Sequence, residues 1–176
     1  YEYIPKLNDN NIHEVVKYYL SKKKIFKNKK QQVIRNYGPI NNWNVSQVTN
    51  MKSLFRDCVN FNEDISNWNV SNVTNMSAMF YSASSFNQPL NNWNVSNVKD
   101  MKAMFYRAKS FNQPLNSWNV SQVTDMSEMF YGAKTFNQPL NNWNVSNVID
   151  MTRMFDRALS FNIQINATWY IEHIEL

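Results

Sequence analysis

A chain of 176 residues, 43% hydrophobic and 18% charged, has enough apolar material for a core and is not a disordered segment. No apolar run approaches the 18 or more residues of a membrane span, and the single cysteine, Cys58, excludes an internal disulfide. The formal charge of +5 is unevenly placed: residues 1–40 carry nine Lys/Arg against three acidic residues, and residues 41–176 carry nine against ten.

Residues 1–40 are predicted to form a helical N-terminal cap. Asparagines and Asp9 at 8–11 offer N-cap groups before Ile12, Val15, Val16, Tyr19 and Leu20, which recur at helical spacing. Ser21 to Lys30 is a basic interruption, a second helix is expected from about Gln31, and Tyr37-Gly38-Pro39 stops it. Lys22, Lys23, Lys24, Lys27, Lys29 and Lys30 invite a nucleic-acid reading. No arginine–aromatic interleaving accompanies them, so they are read as the solvated side of a cap and nucleic acid is not an expected partner.

Residues 41–165 repeat one 25-residue unit five times without slippage. Trp43, Trp68, Trp93, Trp118 and Trp143 hold one position, and so do Met51 to Met151 and Phe55 to Phe155 at the same interval. A fixed period of this length marks a stacked repeat, in which each position becomes a column. The opening of the unit, L-x-x-W-x-V, matches the leucine-rich-repeat core, so the predicted fold is a leucine-rich-repeat-like solenoid. A parallel β-sheet is expected on one face, with short helical or 3-10 turns from M-x-x-M-F on the other. Asp125 with Glu128 resembles a capping box at the start of that helix. Only Gly38 and Gly132 are glycines against 30 asparagines, which argues against many left-handed turns unless asparagine supplies them. Residues 166–176 are expected to form a C-terminal closing strand.

The unit WNVSNVTNMSAMFYSASSFNQPL resembles the 25-residue repeat of the BspA-like leucine-rich-repeat surface proteins, a Mycoplasma-type lipoprotein repeat, over about residues 38–165. NYGPINNWNVS is similar to the lead-in of such repeats. Leu54, Arg56 and Cys58 in the first unit depart from the pattern. The resemblance implies a cell-surface or secreted protein engaged in adhesion and protein–protein interaction.

No catalytic, cofactor or metal set is legible. His13 and His173 stand at opposite ends of the chain, carboxylates are scattered, and no Cys/His spacing suits zinc. The tryptophan and methionine columns read as core, and Cys58 reads as an inert core thiol in a slot otherwise held by alanine. What remains facing outward is amide and hydroxyl. The candidate binding face comprises Asn44, Asn69, Asn94, Asn119 and Asn144, with Asn92, Asn97, Ser71, Ser96 and Ser121 beside them. Such a face suits a protein or glycan partner, or it stabilises the stack by hydrogen bonding along it. The non-enzymatic alternative is a structural or self-assembling spacer, with the chain monomeric or weakly self-associating. Asn62, Asn87, Asn112, Asn137 and Asn162 read as structural turn residues. Tyr81, Tyr106 and Tyr131 are expected to form a half-buried stripe.

Overall fold

The computed structural model describes residues 5–174, and a main-chain ladder with the repeat period organises it. The N–H groups of Met51, Ser53, Phe55 and Asp57 donate to the carbonyls of Asn75, Ser77, Met79 and Tyr81, at 2.8–2.9 Å. The same alternation joins each unit to the next, ending with Met126, Glu128, Phe130 and Gly132 donating to Asp150, Thr152, Met154 and Asp156. The residues in between close local turns: Leu54, Arg56 and Cys58 donate to the carbonyls of Met51, Ser53 and Phe55. Alternate residues therefore bond between coils and within the coil.

This corrects the expected fold class. Among the described residues no β-sheet forms; the coils share only single-residue parallel bridges, Asn50 to Asn75, Asn75 to Asp100, Asp100 to Asp125 and Asp125 to Asp150. Nor does M-x-x-M-F form a helix, because its local bonds reach back three residues and only from alternate positions. The physical reason is backbone handedness. Ser53 and Asp57, and their counterparts Ala78, Ser82, Ala103, Arg107, Glu128, Arg153 and Arg157, all lie at φ between +52° and +59°. A positive φ at the third residue makes a type II turn and ends any extended or right-handed helical run. Neither glycine nor asparagine supplies these positions, apart from Gly132 at φ +64°. For an L-residue the conformation costs about 1–2 kcal/mol, and each such residue through the fourth coil also donates its N–H to the next coil. The L-x-x-W-x-V segment is likewise turned rather than extended: Trp68 N–H donates to Ile65 and Val73 N–H to Val70.

Between the turns lies the core, and here every column faces inward. Phe55, Phe80, Phe105, Phe130 and Phe155 stack at 5.5–5.7 Å between ring centroids. Each also stacks within its own coil on a second phenylalanine, Phe55 on Phe61 at 4.1 Å. Trp43 through Trp143 and Met51 through Met151 are buried beside them. Burying a large apolar side chain contributes about 1.5–3 kcal/mol, so repetition multiplies one favourable packing. The indole N–H finds a partner in every coil. Trp68, Trp93, Trp118 and Trp143 donate to the carbonyls of Ile40, Ile65, Leu90 and Leu115, each 28 residues earlier, at 2.8–3.1 Å.

At the N-terminal end two helices cover the first coil: α1 (Ile12–Leu20), which buries Ile12, Val15 and Val16, and α2 (Lys27–Tyr37), which buries Val33. They replace the bonds that a preceding coil would make. The Asp9 carboxylate accepts from Thr49 N–H at 2.7 Å, Thr49 Oγ1 at 2.6 Å and Asn50 N–H at 3.0 Å. In the next coil the corresponding donor, Thr74 N–H, goes to the Thr49 carbonyl. His13 Nε2 donates to the Lys52 carbonyl at 2.8 Å, and Trp43 donates to Gly38.

At the other end the predicted closing strand is helical instead: α3 (Ile163–Asn166), capped by the Asn162 side chain, and α4 (Thr168–Ile174). Trp169 stacks on Trp143 at 6.4 Å and donates its indole N–H to Leu140, continuing the tryptophan column from a helix. Trp169 stands 26 rather than 25 residues after Trp143, and from the helix its indole still meets the carbonyl that continues the series, 29 residues earlier.

Candidate binding face

Asparagine two residues before serine builds the outward row. In each Asn-Val-Ser the valine is buried, and the asparagine Oδ1 folds back to accept from the serine N–H at 3.1 Å. In the first three coils it also accepts from the serine hydroxyl at 2.7 Å. This is the Asx turn that short polar side chains favour. Asn44, Asn69, Asn94, Asn119 and Asn144 are thereby all held in one orientation and all exposed. Their Oδ1 atoms are satisfied internally, and among the described residues their Nδ2 groups have no protein acceptor. The row is therefore a line of amide donors repeated once per coil.

The remaining predicted residues divide. Ser71, Ser96 and Ser121 lie half-buried within the Asx turns. Asn97 belongs to the stack instead: its Nδ2 donates to the Ser71 carbonyl at 2.7 Å, as Asn72 does to Ser46 and Asn147 to Ser121. Asn92 is exposed on the other side of Trp93, where its Oδ1 accepts from Asn91. The turn asparagines form a second ladder along the stack, exposed or half-buried at its surface. Asn87 N–H donates to Asn62 Oδ1 at 2.9 Å, and the Gln88 amide donates to the same oxygen at 3.2 Å. Asn112 and Asn137 repeat the pattern one and two coils further on.

Three other features bear on chemistry. Cys58 is half-buried where α1 and the first coil meet, and burial with the neighbouring Asp57 pushes its thiol above the ordinary value. A thiol held protonated is a poor nucleophile. The lysine cluster is partly engaged with the cap's own rings: Lys29 lies over Tyr18 and Lys30 over Tyr19, each at 5.9 Å. A groove of about 460 Å³ separates α2 from the first coil, lined by Leu20, Ile34 and Val59 among others.

The tyrosine stripe is real and is bounded by arginines, a feature sequence reasoning missed. Tyr81, Tyr106 and Tyr131 stack at 4.4 and 4.7 Å. Arg56 lies over Tyr81 at 4.3 Å and Arg153 over Tyr131 at 4.7 Å. The signal was present in the sequence: Arg56 occupies the tyrosine column one coil before Tyr81.

Among the described residues no three His, Cys, Asp or Glu side chains converge as metal ligands, and no helix is long and apolar enough to cross a membrane. The side chain of His173 lies outside the described residues. A family model described as Mycoplasma protein of unknown function, DUF285, matches residues 20–134 and again residues 91–175. No curated protein and no solved structure matches the chain.

Proposed function

We propose, from the premise that the chain belongs to the DUF285 family of Mycoplasma proteins of unknown function, that it is a non-enzymatic binding module. It presents the Asn44 to Asn144 row to a protein or glycan partner. The observation that carries this reading is the common orientation of exposed Asn69, Asn94 and Asn119, each fixed by its Asx turn with its donors outward. A row fixed before binding loses little side-chain freedom on contact, which favours recognition through many neutral hydrogen bonds. The resemblance of the unit to BspA-like surface repeats supports an adhesive role at the cell surface. The presenting face is built from turns, not from a β-sheet.

Asn94→Lys with Asn119→Lys tests the reading. The pair places two bulky cations mid-row while leaving the buried Val95 and Val120 in place. Partner capture from a glycan array or a surface-protein extract should disappear, with the thermal midpoint close to the parent. Binding at parental strength sinks the assignment.

A second reading has its own observation. Asn72, Asn97 and Asn147 spend their side chains bridging coils, as a spacer or self-assembling scaffold requires. Solution mass across a concentration series separates the two: mass rising with concentration favours the scaffold, and a constant monomer mass counts against self-assembly.

A further inference from the structure

The repeats are close to neutral, yet their last three coils gather cations on one ridge. Arg107 and Arg157 occupy the same column two coils apart. Between them stands Gly132, where a Cβ would meet Arg107 Cγ at 3.2 Å. The glycine lets the Arg107 stem lie against the fourth coil, and the Arg107 and Arg157 guanidiniums lie over the rings of Tyr106 and Tyr131, at 5.3 and 5.7 Å. Lys109 and Lys134 run alongside in adjacent coils, tied by the Thr135 hydroxyl donating to the Lys109 carbonyl at 2.9 Å. All four are exposed, and among the described residues none has a carboxylate in salt-bridge contact. Drawing like charges together costs free energy unless an anion joins them.

We propose that this ridge binds a linear anionic glycan, sulfated or carboxylated. Its position beside the tyrosine stripe decides between polyanions. Single-stranded nucleic acid gains much of its affinity by stacking bases on open aromatic faces. Here Tyr81, Tyr106 and Tyr131 cover one another, and Arg56 and Arg153 cover the outer faces. No ring face is left for a base. What the ridge offers is a line of positive charge, with the Arg107 and Arg157 guanidiniums held over Tyr106 and Tyr131 and the Lys109 and Lys134 ammoniums alongside. The site is separate from the asparagine row and does not depend on it.

The second coil supplies a fold-safe variant, because Ser82, at φ +55°, and Ser84 hold the corresponding places there. Binding of the intact chain to a heparin dodecasaccharide is measured at low and high salt, by calorimetry or fluorescence anisotropy. Arg107→Ser, Lys109→Ser, Lys134→Ser and Arg157→Ser together should weaken it on the order of tenfold or more, a loss screened away as salt rises. Arg107→Lys with Arg157→Lys should keep most of the affinity, which separates charge from packing. Replacing Lys22, Lys23, Lys24 and Lys27 with serine should leave it unchanged. Parental affinity in the serine variant overturns the proposal, as does its loss in the lysine-cluster variant alone. Single-stranded DNA of matched charge binding as tightly as the dodecasaccharide also overturns it.

Discussion

The indole N–H of Trp118 donates to the carbonyl of Leu90 in the preceding coil, at 2.9 Å and out of contact with water. It serves two columns at once, satisfying a buried indole and a buried carbonyl. Trp118→Phe keeps an aromatic ring and removes one of the two bonds to that carbonyl, which still accepts from the Trp93 N–H at 3.0 Å, so it should cost about 0.5–1.5 kcal/mol. Trp118→Ala should cost about 3–5 kcal/mol through the cavity it opens. Trp43→Phe should cost less, because its acceptor at Gly38 is only part-buried at the cap. Urea denaturation of the three variants measures the order.

The two asparagine rows should respond differently to truncation. Asn112 Oδ1 accepts from the Asn137 N–H at 3.0 Å and the Gln138 amide at 3.1 Å, one coil on. Asn112→Ala strands the Asn137 N–H, while the Gln138 amide keeps its bond to the Asn112 carbonyl, and it should destabilise by about 1 kcal/mol. Asn119→Ala breaks only an exposed bond to Ser121 N–H within its own coil, and should cost about 0.5 kcal/mol or less. Equal losses in the two variants would show that the outward row also holds the stack.

The left-handed positions predict an inverse pair. Ser53, at φ +59°, should tolerate glycine with a gain of about 0.5–1 kcal/mol, since relief of strain exceeds the added freedom of the unfolded chain. Gly132→Ala should lose stability, because it adds strain at φ +64° and a contact of 3.2 Å with Arg107 Cγ. Thermal midpoints that move the other way would contradict the turn assignment.

Asp9 ties the cap to the stack in a pH-dependent manner. Slight burial disfavours its ionised form, but the Thr49 hydroxyl and the Thr49 and Asn50 amides outweigh that effect and hold the carboxyl below its usual range. A carboxyl whose folded pKa is depressed contributes fully above the unfolded value of about 3.9 and loses its contribution as pH falls through the folded value. Protection of the α1 amides, taken relative to the intrinsic exchange rate at each pH, should therefore fall in acid below about pH 4. In Asp9→Asn the cap should be weaker at neutral pH, and this component of the acid response should vanish.

The interior was legible because a fixed period needs no knowledge of backbone conformation. Once Trp68 and Trp93 share a position, they share a column, and large apolar residues repeated in a column go inside. The backbone was not legible for the same reason: inward and outward alternation is common to strands and to successive turns. Of the residues that decide between them, Ala78, Ala103 and Arg107 carry no turn signature, and Gly132 hints at the handedness of its column. The outward placement of Asn94 and Asn119 followed from the period. Their locked orientation, and the leaning of Arg107 over Gly132, came only with the coordinates.

Between residues 51 and 157 nearly every bond from one coil to the next joins a residue to the counterpart, or near-counterpart, one unit away. The number of coils is therefore a free variable of the architecture. A gene that gains or loses whole units changes the reach of the molecule while every surviving neighbour meets the same partner as before. A single inserted residue in the shared columns has no such freedom, for it sets the next indole out of register with its carbonyl in the coil before. The 25-residue period is in this sense a reading frame imposed by packing, and length can evolve in whole steps without the fold being solved again.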